Sequence, residues 1–244
     1  MINTIDTILF DLDGTLLQVT QEVFINTYFA KLGKVFTRLD MDAATCIKAV
    51  WSGTKAMVLN DGKQTNRERF WEIFTAEMGL SGEKREVVET ACDDFYTNEF
   101  DTVKSVMMPN DISKRLVRAL AARGYGVVLA TNPLFPPCAV TTLLRWIGLE
   151  PRDFSLITHY ANSTFCKPNP GYYREVLDRI GKTPEQCLMA GNSPTEDMCV
   201  GALGVETFLV TDCLENETGA DIAVYRHGSL CELETLLMSL PDIP

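Results

Sequence analysis

Long apolar runs are missing from this 244-residue chain. Nowhere does an uninterrupted hydrophobic stretch approach the roughly 18 residues a membrane span needs, and the opening, MINTIDTILF, has no basic region leading into an apolar one. The expectation is a cytoplasmic protein with neither a membrane span nor a secretory leader. Basic residues are also scarce. Lysine and arginine number 22 against 33 acids, a formal charge of −11, and such a field repels nucleic acid and anionic membrane surfaces, so neither is expected as a partner. An anionic substrate would need local help from a metal or a lysine. No C-x-x-C pair occurs among the 8 cysteines. They are scattered, several within apolar segments such as those holding Cys187 and Cys199, and read as buried reduced thiols rather than disulfides or zinc ligands. Internal repeats, low-complexity tracts and charged tails are likewise lacking.

What is present is core material: 46% hydrophobic and 23% charged residues, enough for one large domain or two modest ones. Short runs rich in Val, Ile, Leu and Phe recur at 5–10, 126–130, 154–157, 187–190 and 206–210, too short for helices and without polar alternation, as suits strands buried on both faces. Between them lie helical patterns at 112–123, 138–147 and 172–180, each followed by glycine in the stop position (Gly124, Gly148, Gly181). Alternating strand and helix predict an α/β fold, a doubly wound parallel sheet with helices on both faces. From Gln18 to Met108 the pattern is helical only. Thr65 and Glu68 form a T-x-x-E capping box ahead of Phe70, Trp71, Phe74 and Met78, and Ser81 is the expected cap of the next helix. An all-helical insert there makes the sheet domain discontinuous, with 1–17 and 109–244 as core and 18–108 as the inserted domain. Ser229 and Glu232 box the start of a last helix running through Leu237.

The segment ILFDLDGTLL, Ile8 to Leu17, places two carboxylates and a glycine where an apolar strand should continue. Ligands of parallel α/β sheets bind beyond the carboxyl ends of the strands, where Asp11 falls. Residues i and i+2 of an extended chain point the same way, so Asp11 and Asp13 can face one site while Leu12 turns to the core. Gly14 permits a sharp turn and Thr15 adds a hydroxyl. Two adjacent carboxylates repel, and one pKa rises unless a cation neutralises them, so the pair calls for a metal or for acid/base chemistry. A plain polar turn is the bland alternative. An EF-hand loop, with Asp11, Asp13 and Glu22 at positions 1, 3 and 12, fails because position 6 is Leu16 and the preceding element is a strand.

Other strand ends carry the same signature. Thr131-Asn132 follows GVVLA, and Gly191-Asn192-Ser193 follows CLMA, with Glu196 and Asp197 beyond. Lys167, in FCKPNPGYY, supplies the missing positive charge on a loop stiffened by Pro168 and Pro170.

D-x-D-G-T at Asp11–Thr15, the strand-end Thr131, K-P at Lys167-Pro168 and a fourth motif from Gly191 to Asp197 occur in one order, and with them the chain resembles the haloacid dehalogenase superfamily. The similarity is to its phosphatase branch with a helical cap, the phosphoglycolate phosphatase-like kind, and it covers nearly the whole chain. It implies Asp11 as the nucleophile that forms an aspartyl-phosphate and Asp13 as general acid and then base. Thr131, Gly14 and the backbone around Asn132 would bind phosphate, and Lys167 would neutralise Asp11 and the phosphate together. Mg²⁺ would be held by Asp11, the Asp13 carbonyl and the fourth motif (Asn192, Asp197, with Glu196 as a further candidate). The substrate implied is a small phosphorylated metabolite.

Asn192 departs from the family, which usually has Asp there. An uncharged amide weakens metal binding unless Asp197 or Glu196 compensates. This leaves a second expectation open, a binding or regulatory protein that keeps the fold with weak turnover or none. Dehalogenation is disfavoured by Asp13 and Gly14-Thr15. Phosphonate hydrolysis would need an amine from the insert (Lys31, Lys34, Lys48 or Lys55), and a phosphomutase would need a sugar bisphosphate held there. Lys55, Arg67 and Arg69 are the insert's candidates for touching substrate. Phe24, Tyr28, Trp71 and Phe74 read as its core, and His159 as an ordinary loop histidine.

Overall fold

A computed structural model describes residues 5–108 and 110–243. Residues 1–4, 109 and 244 of the expected core domain lie outside the described residues. Six strands, β1 (Thr7–Phe10), β2 (Gly126–Leu129), β3 (Leu156–Ile157), β4 (Cys187–Gly191), β5 (Glu206–Val210) and β6 (His227–Gly228), form one parallel sheet in the order β3-β2-β1-β4-β5-β6. The central strands are buried on both faces, which is why they read as continuous apolar runs. In register, Phe10 pairs with Leu129 on one side and Ala190 on the other. Strand order therefore reverses at β1, and its carboxyl end opens into the crevice where such sheets bind ligands. The expected parallel α/β sheet is present. β6 has no counterpart in the sequence reading, because a two-residue edge strand of His and Gly carries no apolar run.

Flanking helices follow the sequence signals closely. The helix at Ile112–Ala122 and those at Pro137–Trp146 and Pro170–Ile180 each run into a left-handed glycine, Gly124, Gly148 and Gly181. In each case the next residue's N–H reaches back into the last turn (Tyr125 to Leu120, Leu149 to Leu144, Lys182 to Leu177), satisfying carbonyls the helix leaves open. Ser229 and Glu232 cap the final helix, Leu230–Met238, reciprocally.

Between β1 and β2 the chain forms α1 (Gln21–Arg38), α2 (Ala43–Val58), α3 (Asn66–Met78) and α4 (Glu83–Asp94), then a π-helical turn (Phe95–Glu99) and a 3₁₀ segment (Phe100–Val106), with no strand among the described residues. The chain departs and returns at one point, where the Met108 N–H donates to the Gln18 carbonyl at 2.9 Å. Thr65 and Glu68 form the capping box of α3. Ser81 does not cap α4. Gly82, at φ 52°, holds the N-cap position with no side-chain bond, since the left-handed turn after α3 shifts the helix start by one residue. Phe24, Tyr28, Trp71 and Phe74 are buried in an apolar cluster that continues without a break into Ile8, Phe10 and Leu129 of the sheet domain. Only Cys46, Cys166 and Cys187 of the cysteines are buried; Cys199 is partly exposed. No helix among the described residues is long and apolar enough to cross a membrane.

Candidate active site

The end of β1 places Asp11 between the ends of β2 and β4, its N–H donating to the Ala190 carbonyl at 2.9 Å. Leu12 is fully buried in the core, as the alternation requires. At Gly14 the backbone turns with φ +80°, and a Cβ there would lie 2.1 Å from Asn192 Nδ2. Gly14→Ala is expected to cost about 1–3 kcal/mol from the backbone alone and to push the Asn192 amide aside, read as a lower urea midpoint with unchanged slope.

Lys167 and the acids come together around this turn. The Lys167 ammonium is fully buried and lies 2.8 Å from Asp11 Oδ1 and 2.6 Å from Asp197 Oδ1. Burial alone would lower its pKa, but the two carboxylates raise it well above the ordinary lysine value and keep it charged. Asp197 Oδ2 accepts the Ser193 N–H at 2.9 Å, so both oxygens of Asp197 are engaged and it serves here as a partner of Lys167. Glu196 accepts from Asn132 Nδ2 at 3.0 Å, and Asn132 Oδ1 accepts the Lys167 N–H at 3.3 Å. The Thr131 carbonyl takes the Thr158 and Tyr172 hydroxyls at 2.7 and 2.9 Å, fixing the end of β2. All of the expected site residues thus converge on one crevice.

Four carboxylates share this single ammonium. Burial pushes the Asp11 carboxyl up against the pull of Lys167. Burial, with Asp11 beside it, pushes Asp13 up to about 7, and burial also brings Glu196 to about 7. Asp13 Oδ1 is enclosed and has no hydrogen-bond partner. A raised folded-state pKa means the native protein binds more protons than the unfolded chain, so its stability falls as pH rises from about 3.8 through about 7. Asp13→Asn is therefore expected to stabilise the metal-free protein by on the order of 2–3 kcal/mol at pH 8 and little at pH 4, measured by urea unfolding with a chelator present.

Asp11, the Asp13 backbone carbonyl and the Asn192 amide oxygen, all at the floor of one crevice, are an oxygen-only donor set of the kind a hard divalent cation takes. Among the described residues no group of three acidic, histidine or cysteine side chains is arranged around a common metal position. Asn192 differs from the aspartate it replaces in more than charge: Nδ2 donates to the Cys213 carbonyl at 2.7 Å while Oδ1 accepts from Thr15 Oγ1 at 3.4 Å. Its carbonyl also accepts the Glu215 N–H at 3.0 Å. Glu215, whose charge raises the Asp13 pKa, was missed in the sequence because it lies in a loop after β5 with no motif around it.

Above the acids opens a cavity of about 620 Å³ between the sheet's carboxyl edge and the inserted helices. Phe24, Tyr28, Trp71 and Phe74, expected as the insert's core, also form its walls. Lys55, Arg67 and Arg69 do not line it. Arg67 pairs with Glu89 and Arg69 with Glu72, because these arginines find acids on their own helical layer. His159 has its Nδ1 buried without a partner and lies outside the cavity walls.

A carboxylate at the switch point of a parallel sheet thus lies against a buried lysine under a roof of helices. The chain belongs to the haloacid dehalogenase-like hydrolase family, whose model matches residues 5–202. It is 33% identical over 98 residues to the phosphoglycolate phosphatase of Rhodospirillum rubrum, a stretch covering 39% of each chain, so the match spans about two fifths of that relative. Among solved structures it is similar to a phosphatase of this superfamily from Thermococcus onnurineus (16% identity, 98% of this chain and 100% of that one, TM-score 0.60). It is also similar to the L-2-haloacid dehalogenase of Xanthobacter autotrophicus (16%, 96% and 99%, TM-score 0.56). These likenesses concern the fold.

Proposed function

We propose that the chain is a Mg²⁺-dependent phosphatase that hydrolyses a small phosphomonoester, with residues 18–108 acting as a cap over a core of 1–17 and 109–244. The observation that carries this reading is the pairing of Asp11, held against Lys167, with Asp13, whose carboxyl keeps a proton up to about 7. Asp11 attacks phosphorus in line; the ester P–O bond breaks, and Asp13 gives its proton to the departing alkoxide. Asp13, now ionised, takes a proton from the water that attacks the aspartyl-phosphate, and phosphate leaves with Asp11 restored. Lys167, Thr131 and the backbone around Asn132 hold phosphoryl oxygens. Mg²⁺ bound at Asp11, the Asp13 backbone carbonyl and Asn192 would supply further positive charge to those oxygens. The proton on Asp13 supports phosphoryl transfer over dehalogenation, which has no alkoxide to protonate. The return of the chain at Gln18 and Met108 supports the cap boundaries.

The test is phosphate release from a generic aryl phosphate and a panel of phosphorylated sugars, glycolate and nucleotides. Release that stops with chelator and returns with Mg²⁺ is expected; none from folded protein would overturn the reading in favour of a non-catalytic member of the family. Asn192→Asp is expected to tighten Mg²⁺ binding in a calorimetric titration. It should also lower the stability of the metal-free protein by about 1–3 kcal/mol, because the donor to the Cys213 carbonyl is replaced by a carboxylate.

A further inference from the structure

The room above the nucleophile is much larger than a two-carbon leaving group fills. A cavity of about 620 Å³ falls in the range that encloses a drug-sized ligand. Its upper walls are aromatic and aliphatic, with Phe24, Phe29, Tyr28, Trp71, Phe74 and Phe135 from both the insert and the sheet domain. Charge on those walls has one sign. No lysine, arginine or histidine lines the cavity among the described residues, whereas Asp93, Asp212 and Glu215 do, beyond the acids of the nucleophile cluster. The Tyr28 and Tyr96 hydroxyls are bonded to each other, which leaves the buried indole Nε1 of Trp71, a neutral donor, as an unpartnered polar group on these walls.

A leaving group carrying a carboxylate or a second phosphate would enter this space with no cation to meet it and several anions to oppose it, and would lose its hydration without compensation. A short polar alcohol would leave water standing against aromatic walls. An apolar group displaces that water favourably.

We propose that the substrate is a phosphomonoester whose alcohol portion is bulky, uncharged and apolar, an alkyl or aryl group rather than a carboxylate-bearing or bisphosphorylated one. The inference rests on the phosphatase reading for its phosphoryl end only. It separates this chain from the glycolate ester that names its Rhodospirillum rubrum relative.

Primary alkyl phosphates test it without altering the chemistry, because the alkanols from ethanol to hexanol are nearly equal leaving groups. With the full chain and Mg²⁺, kcat/KM would be measured for ethyl, butyl and hexyl phosphate and for phosphoglycolate. Binding of the matching non-hydrolysable alkyl phosphonates would be followed in parallel by calorimetry. Burial of each methylene is expected to contribute about fourfold, so both quantities should rise by on the order of 10² from ethyl to hexyl, with phosphoglycolate at least about tenfold below ethyl phosphate. Turnover that is flat with chain length, or highest for phosphoglycolate, overturns the substrate class and leaves the phosphatase reading intact. Phosphonate binding that climbs with chain length while no ester is cleaved supports the apolar ligand and overturns hydrolysis. Flat phosphonate binding with no cleavage overturns both.

Discussion

Asp11→Asn is expected to reduce phosphate release by on the order of 10⁴-fold or more without lowering the unfolding temperature. The amide cannot carry the phosphoryl group, and no neighbour can replace it: Asp197 is tied to Lys167 and Ser193, and Glu196 to Asn132. Stability should hold or rise at pH 8, since burial already drives the Asp11 carboxyl up, so its ionised form costs free energy in the native state. Lys167 keeps Asp197 as a partner in the variant. Kinetics and thermal unfolding on one preparation check both halves, and a large fall in unfolding temperature would assign Asp11 to the fold rather than to chemistry.

Lys167→Met should have the opposite profile, damaging activity and stability together. The ammonium is fully buried against two carboxylates, and removing it strands both charges. Breaking a buried pair in this way typically costs about 3–5 kcal/mol. The cost should be greatest at pH 8 and shrink as pH falls, because stranded carboxylates escape it by taking up protons. Activity should drop by about 10²–10³, as for loss of a charge that opposes developing negative charge on the reacting group. Urea unfolding at pH 8 and pH 5 with single-turnover kinetics provides the check; a pH-independent stability loss would mean that packing, not charge, is the role of this lysine.

Motif residues were legible because polar side chains at strand ends stand out, a carboxylate after TILF or an amide after CLMAG interrupting an apolar run. Lys167 was legible for another reason, as a cation in a loop just ahead of Pro168 and Pro170. Glu215 and the Cys213 carbonyl were not legible: one is a loop acid among many in a chain of 33, the other a backbone atom that any residue provides. Glu72 lies one helical turn from Arg69 and was open to reading, whereas the Arg67 partner Glu89 was hidden because helical spacing reports which face a side chain occupies but not which neighbouring helix brings an acid to it. The double role of Phe24, Tyr28, Trp71 and Phe74 has the same origin. Periodicity marks them as inward-facing, and only the packing shows that the interior they face is partly open.

The position of β1 also bears on how the site comes into being. Ile8 pairs with Val127 on one side and Leu188 on the other, so the strand that leads into Asp11 has one edge covered by β2 near the middle of the chain and the other only by β4, some sixty residues later. Helices of the insert, built from local contacts, can form while the ribosome is still at work, whereas the sheet must close over long loops. A fragment ending before β4 leaves one edge of β1 bare and offers it to other chains. The same fragment lacks Asn192 and Asp197 altogether, so it carries Asp11 without the residues beyond β4 that gather around the same turn.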